Sequence, residues 1–346
     1  MPSTQEFRRR IKSVSSTKQI TKAMEMIASI KMQKSVKTIA QARAYIQNAW
    51  NILHLLSEKI LSDDHALINP KDHAKKTAVI LITSDRGLCG SYNSEVIKKL
   101  TSFKNVILET EGTPTSRIQD LDSRSGSQPV WNDNTIDIIA IGKVGAAFVN
   151  RYKIGKLIAE FKGFENNISV EDVIPISKLT NGEYMAGNYD KVVVIYSHFI
   201  SSLKQVPVVK QILPIVEDHI DHPELWEGNN VILEPEGTPT SRIQDLDSRS
   251  GGHPVENDKN NTEYKFEPNP DEVFDGVLRQ ILRTQIFGAI LEANASEHSA
   301  RMVAMKNATD NATDLVDELK LVYNSIRQGN ITSEIAEISG AAEAMK

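Results

Sequence analysis

Residues 305–338 read MKNATDNATDLVDELKLVYNSIRQGNITSEIAEI, and this stretch decides the architecture. Apolar residues recur in it at alternating steps of three and four, which places them on one side of an α-helix. No proline follows Pro270, so we expect one helix over 271–346. The predicted seam comprises Met305, Ala308, Ala312, Leu315, Leu319, Val322 and Ile326, and after one longer step Ile331, Ile335, Ile338 and Ala342.

The opposite end of the chain carries a matching pattern. No glycine occurs between Ser3 and Arg86, and only Pro70 interrupts that stretch, so a helix over 1–62 is predicted. Its seam has the same spacing and comprises Ile39, Ala42, Ile46, Ala49, Leu53, Leu56 and Ile60.

The lengths of the two helices favour one arrangement. At about 1.5 Å per residue they would run roughly 85 and 105 Å, whereas a compact globule of this size has a radius of gyration of about 20 Å. We therefore predict that they pair as a long antiparallel coiled coil that protrudes from a body. For either seam alone, the core of an ordinary helical bundle is the alternative interpretation.

Charge and composition agree with this pairing. Residues 1–60 carry eleven Lys and Arg against three Asp and Glu, while 271–346 carry seven against twelve, so the helices have opposite net charges of about +8 and -5. The whole chain of 346 residues has a formal charge of -5, with 25% charged and 40% hydrophobic residues. Collagen-like, disulfide-rich, polybasic and wholly disordered proteins each need a bias that is absent here.

The middle of the chain changes to the period of an α/β domain. Short β-branched runs at 77–83, 136–141 and 191–196 are typical of strands buried on both faces, and 211–215 is a candidate edge strand. Helical segments at 94–100 and 143–152 follow the first two runs. A small parallel α/β body over 75–220 is predicted.

A copied segment interrupts this body. Residues 105–133 and 230–258 are identical except at four positions, and their shared core is rich in Gly, Pro, Ser, Asp and Arg. We interpret the insertion at about 105–133, and the second insertion or linker at 230–268, as flexible surface loops. A dedicated binding module is the alternative.

Candidate chemical sites are weak in this sequence. The glycines of 84–91 and of 142–145 have neither the Walker nor the dinucleotide spacing, so a tight turn at 84–91 and the opening of a helix at 142–145 are favoured over phosphate sites. Cys89, the single cysteine, has no recognisable base nearby in sequence, and the eight histidines lack metal-ligand spacing. We therefore expect no cofactor, metal or catalytic residue. The basic residues of 8–34 are not interleaved with aromatics, which favours an exposed face or an acidic protein partner over nucleic acid.

Three motifs give the chain a family resemblance. Residues 10–26 with Lys31 and Met32, residues 83–90, and residues 297–311 followed by 323–334 together resemble the gamma subunit, or central stalk, of the rotary ATP synthase. The likeness implies an α/β fold with a coiled coil of both termini and a Rossmann-like body. It also implies a rotor shaft that couples rotation of the membrane c ring to conformational changes at catalytic sites on beta subunits.

The resemblance further implies partners and a location. The coil would lie inside a ring of alpha and beta subunits, and the body would contact the epsilon subunit and the c-subunit ring. No stretch of eighteen apolar residues exists, so membrane contact would run only through these partners, at the cytoplasmic face of a bacterial plasma membrane. The second copied segment falls near the family's foot, so foot contacts are not assigned.

Particular residues acquire roles by the same resemblance. Arg327, Gln328 and Thr332 match polar positions that bond to a beta subunit, and Arg86 and Cys89 match a turn near that subunit's acidic lever segment. An apolar sleeve would hold the end of the last helix, at Ile331, Ile335, Ile338, Ala341, Ala342 and Ala344. The opposing helix would bring residues to the same region, namely Lys22, Met24 and Glu25.

Two other classes of function remain open from the sequence. A free-standing coiled-coil scaffold would associate with itself, and a small Rossmann-type enzyme would bind a nucleotide at the 87–90 turn. A rotor subunit would instead copurify with alpha and beta chains.

Overall fold

The computed structural model describes residues 4–57, 67, 76–110, 136–164, 168–215 and 269–344. Within these ranges the side chains of 43–47, 50–57, 106–110, 270–271 and 341–344 are not described. The helices are α1 (Thr4–Ser57), α2 (Tyr92–Thr110), α3 (Lys143–Tyr152), α4 (Ile174–Met185) and α5 (Pro270–Ala344). The strands are β1 (Thr77–Ile82), β2 (Asp137–Ile141), β3 (Lys156–Phe161), β4 (Lys191–Phe199) and β5 (Gln205–Leu213).

The five strands form one mixed sheet with the order β3-β2-β1-β4-β5. β1 pairs in parallel with both β2 and β4, and β2 pairs in parallel with β3. β5 runs antiparallel to β4 because a short turn at 200–204 joins them, and a connection that short cannot cross over the sheet. The expectation of a parallel sheet is therefore corrected to a mixed one.

Both faces of the sheet are covered, which explains the apolar runs. One face, with Ile80 and Val194, packs against Leu282 and Ile290 of α5. The opposite face, with Leu81 among others, packs against residues of α2 and α3. Burial on both faces requires nearly continuous apolar strands, as the runs at β1, β2 and β4 predicted.

Two elements of the body went unpredicted. β3 lies at one edge of the sheet, and its side chains are half-buried or exposed, so its sequence lacks a continuous apolar run. α4 has Pro175 in its first turn, where proline is tolerated because that position needs no N–H for a helical hydrogen bond.

The edge strand β5 begins at Gln205 rather than at 211, with Pro207 inside it.

The long helices α1 and α5 pack against each other. Thr309 Oγ1 donates to Thr21 Oγ1 over 2.8 Å between buried side chains. Nearer the body, Ile39 of α1 joins the apolar cluster that contains Phe274 and Leu278 of α5. The helices from the two ends of the chain, with 54 residues in α1 and 75 in α5, therefore pack against each other along part of their lengths.

The predicted seam of α5 is wrong by one position along part of its length. Leu315 and Val322 are 39% and 38% exposed, whereas Val316 is 6% exposed. Tyr323 is half-buried. Apolar residues are adjacent at 315–316 and at 321–323, so an apolar pattern alone does not fix which neighbour faces α1.

Some predictions fall outside the described residues. The side chains of Ile46, Leu53, Leu56 and Ile60 are not described. The first copied segment begins inside α2, whose helix extends to Thr110, and the rest of it lies outside the description together with the whole second copy. Among the helices that are described, none is long and apolar enough to cross a membrane.

Candidate functional site

The turn that follows β1 is the best-connected loop of the body. Ser84 Oγ donates to the carbonyl oxygen of Arg86 over 2.6 Å, and Asn93 Nδ2 donates back to Ser84 Oγ over 2.7 Å. Leu88 has φ of 64°, in the left-handed region, and its side chain is 62% exposed. The tip of the turn, which we define as residues 86–88, is therefore displayed on the surface by a fixed framework.

Cys89 lies behind this tip rather than on it. Its side chain is 2% exposed, and Asn93 Nδ2 donates to its Sγ over 3.2 Å. Burial is the largest influence on the thiol and raises its pKa. The side chain of Cys89 therefore lies behind the exposed residues Arg86, Gly87, Leu88 and Gly90, and its contact with a beta subunit stays a prediction.

At the start of α3, side chains of this chain accept the backbone N–H groups that a phosphate could otherwise bind. Thr83 Oγ1 accepts from the backbone N–H of Gly145 over 2.9 Å, and Asp85 Oδ1 accepts from that of Lys143 over 3.0 Å. A Cβ at Gly142 would stand 2.1 Å from the carbonyl oxygen of Thr83. The glycines of 142–145 therefore allow β1 and α3 to approach closely.

A buried ion pair joins α5 to the turn. Arg301 Nη2 donates to Glu297 Oε1 over 2.6 Å, with side chains 12% and 2% exposed respectively. The same nitrogen lies 3.3 Å from the carbonyl oxygen of Gly87. Arg301 thereby connects a charged residue inside α5 with the tip of the turn, a connection that the sequence analysis missed.

The structure separates residues that the resemblance placed together. Lys22 Nζ pairs with Glu25 Oε1 at 3.0 Å, directly beside the Thr21–Thr309 contact. Arg327 is 18 residues beyond Thr309, or about 27 Å along the helix. The expectation that Lys22, Met24 and Glu25 share the region of Arg327 is therefore wrong, because the register of α1 against α5 places them lower on the shaft.

Every described side chain at the end of α5, from Arg327 to Gly340, is exposed. Arg327, Gln328 and Thr332 are exposed, and Thr332 Oγ1 donates to the carbonyl oxygen of Gln328 over 2.9 Å. The apolar residues Ile331, Ile335 and Ile338 are 47%, 58% and 67% exposed. The side chains of Ala341, Ala342 and Ala344 lie outside the description.

A second polar junction joins α5 to the β4–β5 hairpin. His198 Nδ1 and Glu292 Oε2 are 2.6 Å apart, and Ser296 Oγ donates to the carbonyl oxygen of Ser197 over 2.9 Å. Burial lowers the pKa of Lys210 to about 7 despite the opposing effect of Glu292. Burial also raises the pKa of Tyr196 strongly, with Glu292 adding to the increase.

Metal ligation finds no support in the described part of the chain. No three or more His, Cys, Asp or Glu side chains there are grouped so that they could hold a metal ion.

A pair of long packed helices on an α/β body, with exposed apolar residues at the end of α5, is typical of a stalk protein. A family model described as ATP synthase matches residues 3–345. The ATP synthase gamma chain of Nitrosomonas europaea is 33% identical over 345 residues, covering 100% of both chains. That of Alkaliphilus metalliredigens is 35% identical over 343 residues, covering 99% of this chain and 98% of that one. The chain belongs to the ATP synthase gamma-chain family.

Solved structures support the fold. A chain of the Euglena gracilis mitochondrial ATP synthase, OSCP/F1/c-ring in rotational state 3, has a TM-score of 0.56 at 17% identity, covering 99% of this chain and 94% of that one. A second, from the rotor of the same organism's enzyme in rotational state 1, has a TM-score of 0.54 at 16% identity, covering 95% and 98%. At these identities the likeness concerns the fold alone.

Proposed function

We propose that this chain is the non-catalytic rotor shaft of an ATP synthase. Its α1 and α5 would form an antiparallel coiled coil that turns inside a ring of alpha and beta subunits. Rotation of the c ring would turn the shaft, so that each catalytic site on a beta subunit meets a different face in succession. Membership of the gamma-chain family and the packing of α1 on α5 support this proposal.

The observation that carries the proposal is the bare end of α5. If α1 and α5 run antiparallel with Thr21 beside Thr309, Thr4 lies opposite a residue near position 326. Ile326 is indeed the last half-buried residue, and every described side chain from Arg327 to Gly340 is exposed. A single helix with exposed Ile331, Ile335 and Ile338 needs a partner, because full burial of each isoleucine would contribute about 1.5–3 kcal/mol.

An apolar sleeve suits that end of the shaft. Apolar contacts are not directional, so they hold an axle in place without fixing its angle. Arg327, Gln328 and Thr332 add exposed polar groups just before the sleeve, and we assign them to exchangeable bonds with a beta subunit. Ala342 would extend the sleeve contact.

A second contact region lies where the shaft leaves the body. Arg86 and Leu88 are exposed there, on a turn that contacts α5 through Arg301. On α1, Ile27 and Ile30 are 55% and 67% exposed. This mixture of apolar and basic surface fits an acidic lever segment of a beta subunit, and Lys22, Met24 and Glu25 belong to this region rather than to the tip.

Further partners follow from the family. The Euglena gracilis neighbours come from assemblies whose descriptions include F1, the c-ring and the rotor. For this chain we propose the alpha and beta subunits, the epsilon subunit and the c ring as partners. The complex would be peripheral, at the cytoplasmic face of the membrane.

Coexpression with alpha and beta chains from the same genome tests the proposal. We expect a complex of the three chains on size exclusion, with ATP hydrolysis that depends on this chain. In that complex, Arg327→Ala with Gln328→Ala should lower coupled turnover, and the exposed pair Glu318→Ala with Lys320→Ala should leave it unchanged. Failure to copurify, or equal turnover of both double variants, would contradict the proposal or the assigned contact, respectively.

Shortening the chain separates folding from assembly. A chain that ends after Ile326 loses no described buried side chain, so its urea unfolding should match that of the full chain within about 0.5 kcal/mol. The same chain should assemble into a complex with reduced coupling. A large loss of stability would mean that the end of α5 packs within this molecule.

A further inference from the structure

Asp85 joins the turn after β1 to two elements on the β2–β3 side of the body. Its Oδ1 accepts from the backbone N–H of Lys143, the first residue of α3, over 3.0 Å. Its Oδ2 accepts from the backbone N–H of Gly163, just after β3, over 2.8 Å. One half-buried carboxylate thus bridges the ends of three strands, since Asp85 itself follows β1.

Neighbouring contacts hold the turn from several sides. Ser84 and Asn93 tie it to α2, and Arg301 reaches it from α5. On the β2–β3 side of the body, the backbone N–H of Val144 donates to the carbonyl oxygen of Ser84 and that of Gly145 donates to Thr83 Oγ1. Asp85 adds its bonds to the start of α3 and to the segment after β3 on this same side. The tip with Arg86 and Leu88 begins one residue later, so any movement of Asp85 moves the exposed surface directly.

The N–H of Lys143 also lacks a local cap. Gly142 is the residue before α3 and has no side chain to accept from that helix start. A negative oxygen is the favoured acceptor at a helix N-terminus, and bonds to a charged acceptor are about twice as strong as neutral ones. Asp85 therefore serves α3 as a cap supplied from a distant part of the chain.

We propose that Asp85 is the positioning residue that fixes the turn as a stiff contact surface for the beta subunit. The inference rests on the proposed rotor function. A displayed tip transmits torque only if it does not yield when the shaft turns, and the two bonds of Asp85 hold the side of the turn that Arg301 does not. Asp85 acts through Arg86 and Leu88 and does not itself touch the partner.

Amide hydrogen exchange of the full-length chain tests the positioning role alone. Asp85→Ala removes both acceptors, so exchange across 84–90 and at Lys143 and Gly163 should accelerate about tenfold. Asp85→Asn keeps one acceptor oxygen and should give a smaller acceleration. A matched control is Asp172→Asn, because Asp172 Oδ2 also accepts a backbone N–H, that of Ser169, elsewhere in the body. Unchanged exchange at the turn in both Asp85 variants would overturn the proposal.

Coupling in the assembled complex tests its consequence. Complexes with Asp85→Ala, or with Asp85→Asn if the alanine variant does not fold, should pump at least about twofold fewer protons per ATP hydrolysed. The thermal transition and the maximal hydrolysis rate should stay close to those of the Asp172→Asn complex. Equal coupling in the Asp85 variants and the control would overturn the role in torque transfer. If the wild-type chain forms no coupled complex, the rotor function fails instead, and the exchange experiment still judges Asp85.

Discussion

Replacing Arg301 by methionine should destabilise the chain by about 3–5 kcal/mol. Glu297 is 2% exposed and its Oε1 lies 2.6 Å from Arg301 Nη2, so removing the guanidinium takes a charged hydrogen-bond partner away from a buried carboxylate. Methionine keeps most of the apolar stem of arginine, which limits the loss of packing. Urea unfolding followed by circular dichroism gives the free energy directly.

Two further variants make the reasoning specific. Glu297→Gln combined with Arg301→Met removes both charges, so a substantial part of the lost stability should return. Lys320→Met breaks an exposed pair with Asp317, 3.1 Å apart, and should change the stability by less than about 1 kcal/mol. If Arg301→Met behaves like Lys320→Met, or if the double variant shows the sum of the single losses, the buried pair does not act as described.

Three other predictions concern the body. Burial lowers the pKa of Lys210 from 10.5 to about 7, so between these pH values the unfolded chain binds more protons than the folded chain. The stability of the wild type relative to Lys210→Met should therefore rise from pH 7 to pH 10. A difference that does not change with pH would contradict this. A Cβ at Gly145 would lie 2.7 Å from Thr83 Oγ1, so Gly145→Ala should lower the free energy of unfolding in urea by about 1–3 kcal/mol. Gly182 lies in a helix with open space around it, so Gly182→Ala should stabilise the chain slightly. Cys89 should react with a maleimide at least about tenfold faster in urea than in the native chain, since burial both shields the thiol and raises its pKa; equal rates would place it on the surface.

The sequence predicted what repeats over many residues. The length of α1 follows from a stretch without glycine, that of α5 from the absence of proline after Pro270, and three strands follow from continuous apolar runs. β3 was not predicted because an edge strand buries little surface and needs no continuous apolar run. Leu315 and Val316 show the limit of periodicity, since the choice between adjacent apolar residues depends on the partner helix.

The candidate site was predictable only as a set of positions. The motifs indicated Arg86 and Cys89 together, yet the left-handed backbone at Leu88 turns Leu88 outward while Cys89 points inward. The distance between Lys22 and Arg327 depends on the register of two helices from opposite ends of the chain, which no local pattern encodes. The partners of Glu292 and Asp85 likewise come from elements more than fifty residues away.

The contact between Thr21 and Thr309 has a consequence for synthesis of the chain. The two residues are 288 positions apart, so at about 5–20 residues per second α1 leaves the ribosome roughly 15–60 s before the surface that covers it exists. Leu282 and Ile290 complete one face of the sheet and follow its last strand by about 70 residues, so that face stays uncovered for roughly 3–15 s after the last strand is made. Nascent chains of this kind expose apolar surface until translation is nearly finished, which makes them natural clients of chaperones that bind unfinished polypeptides.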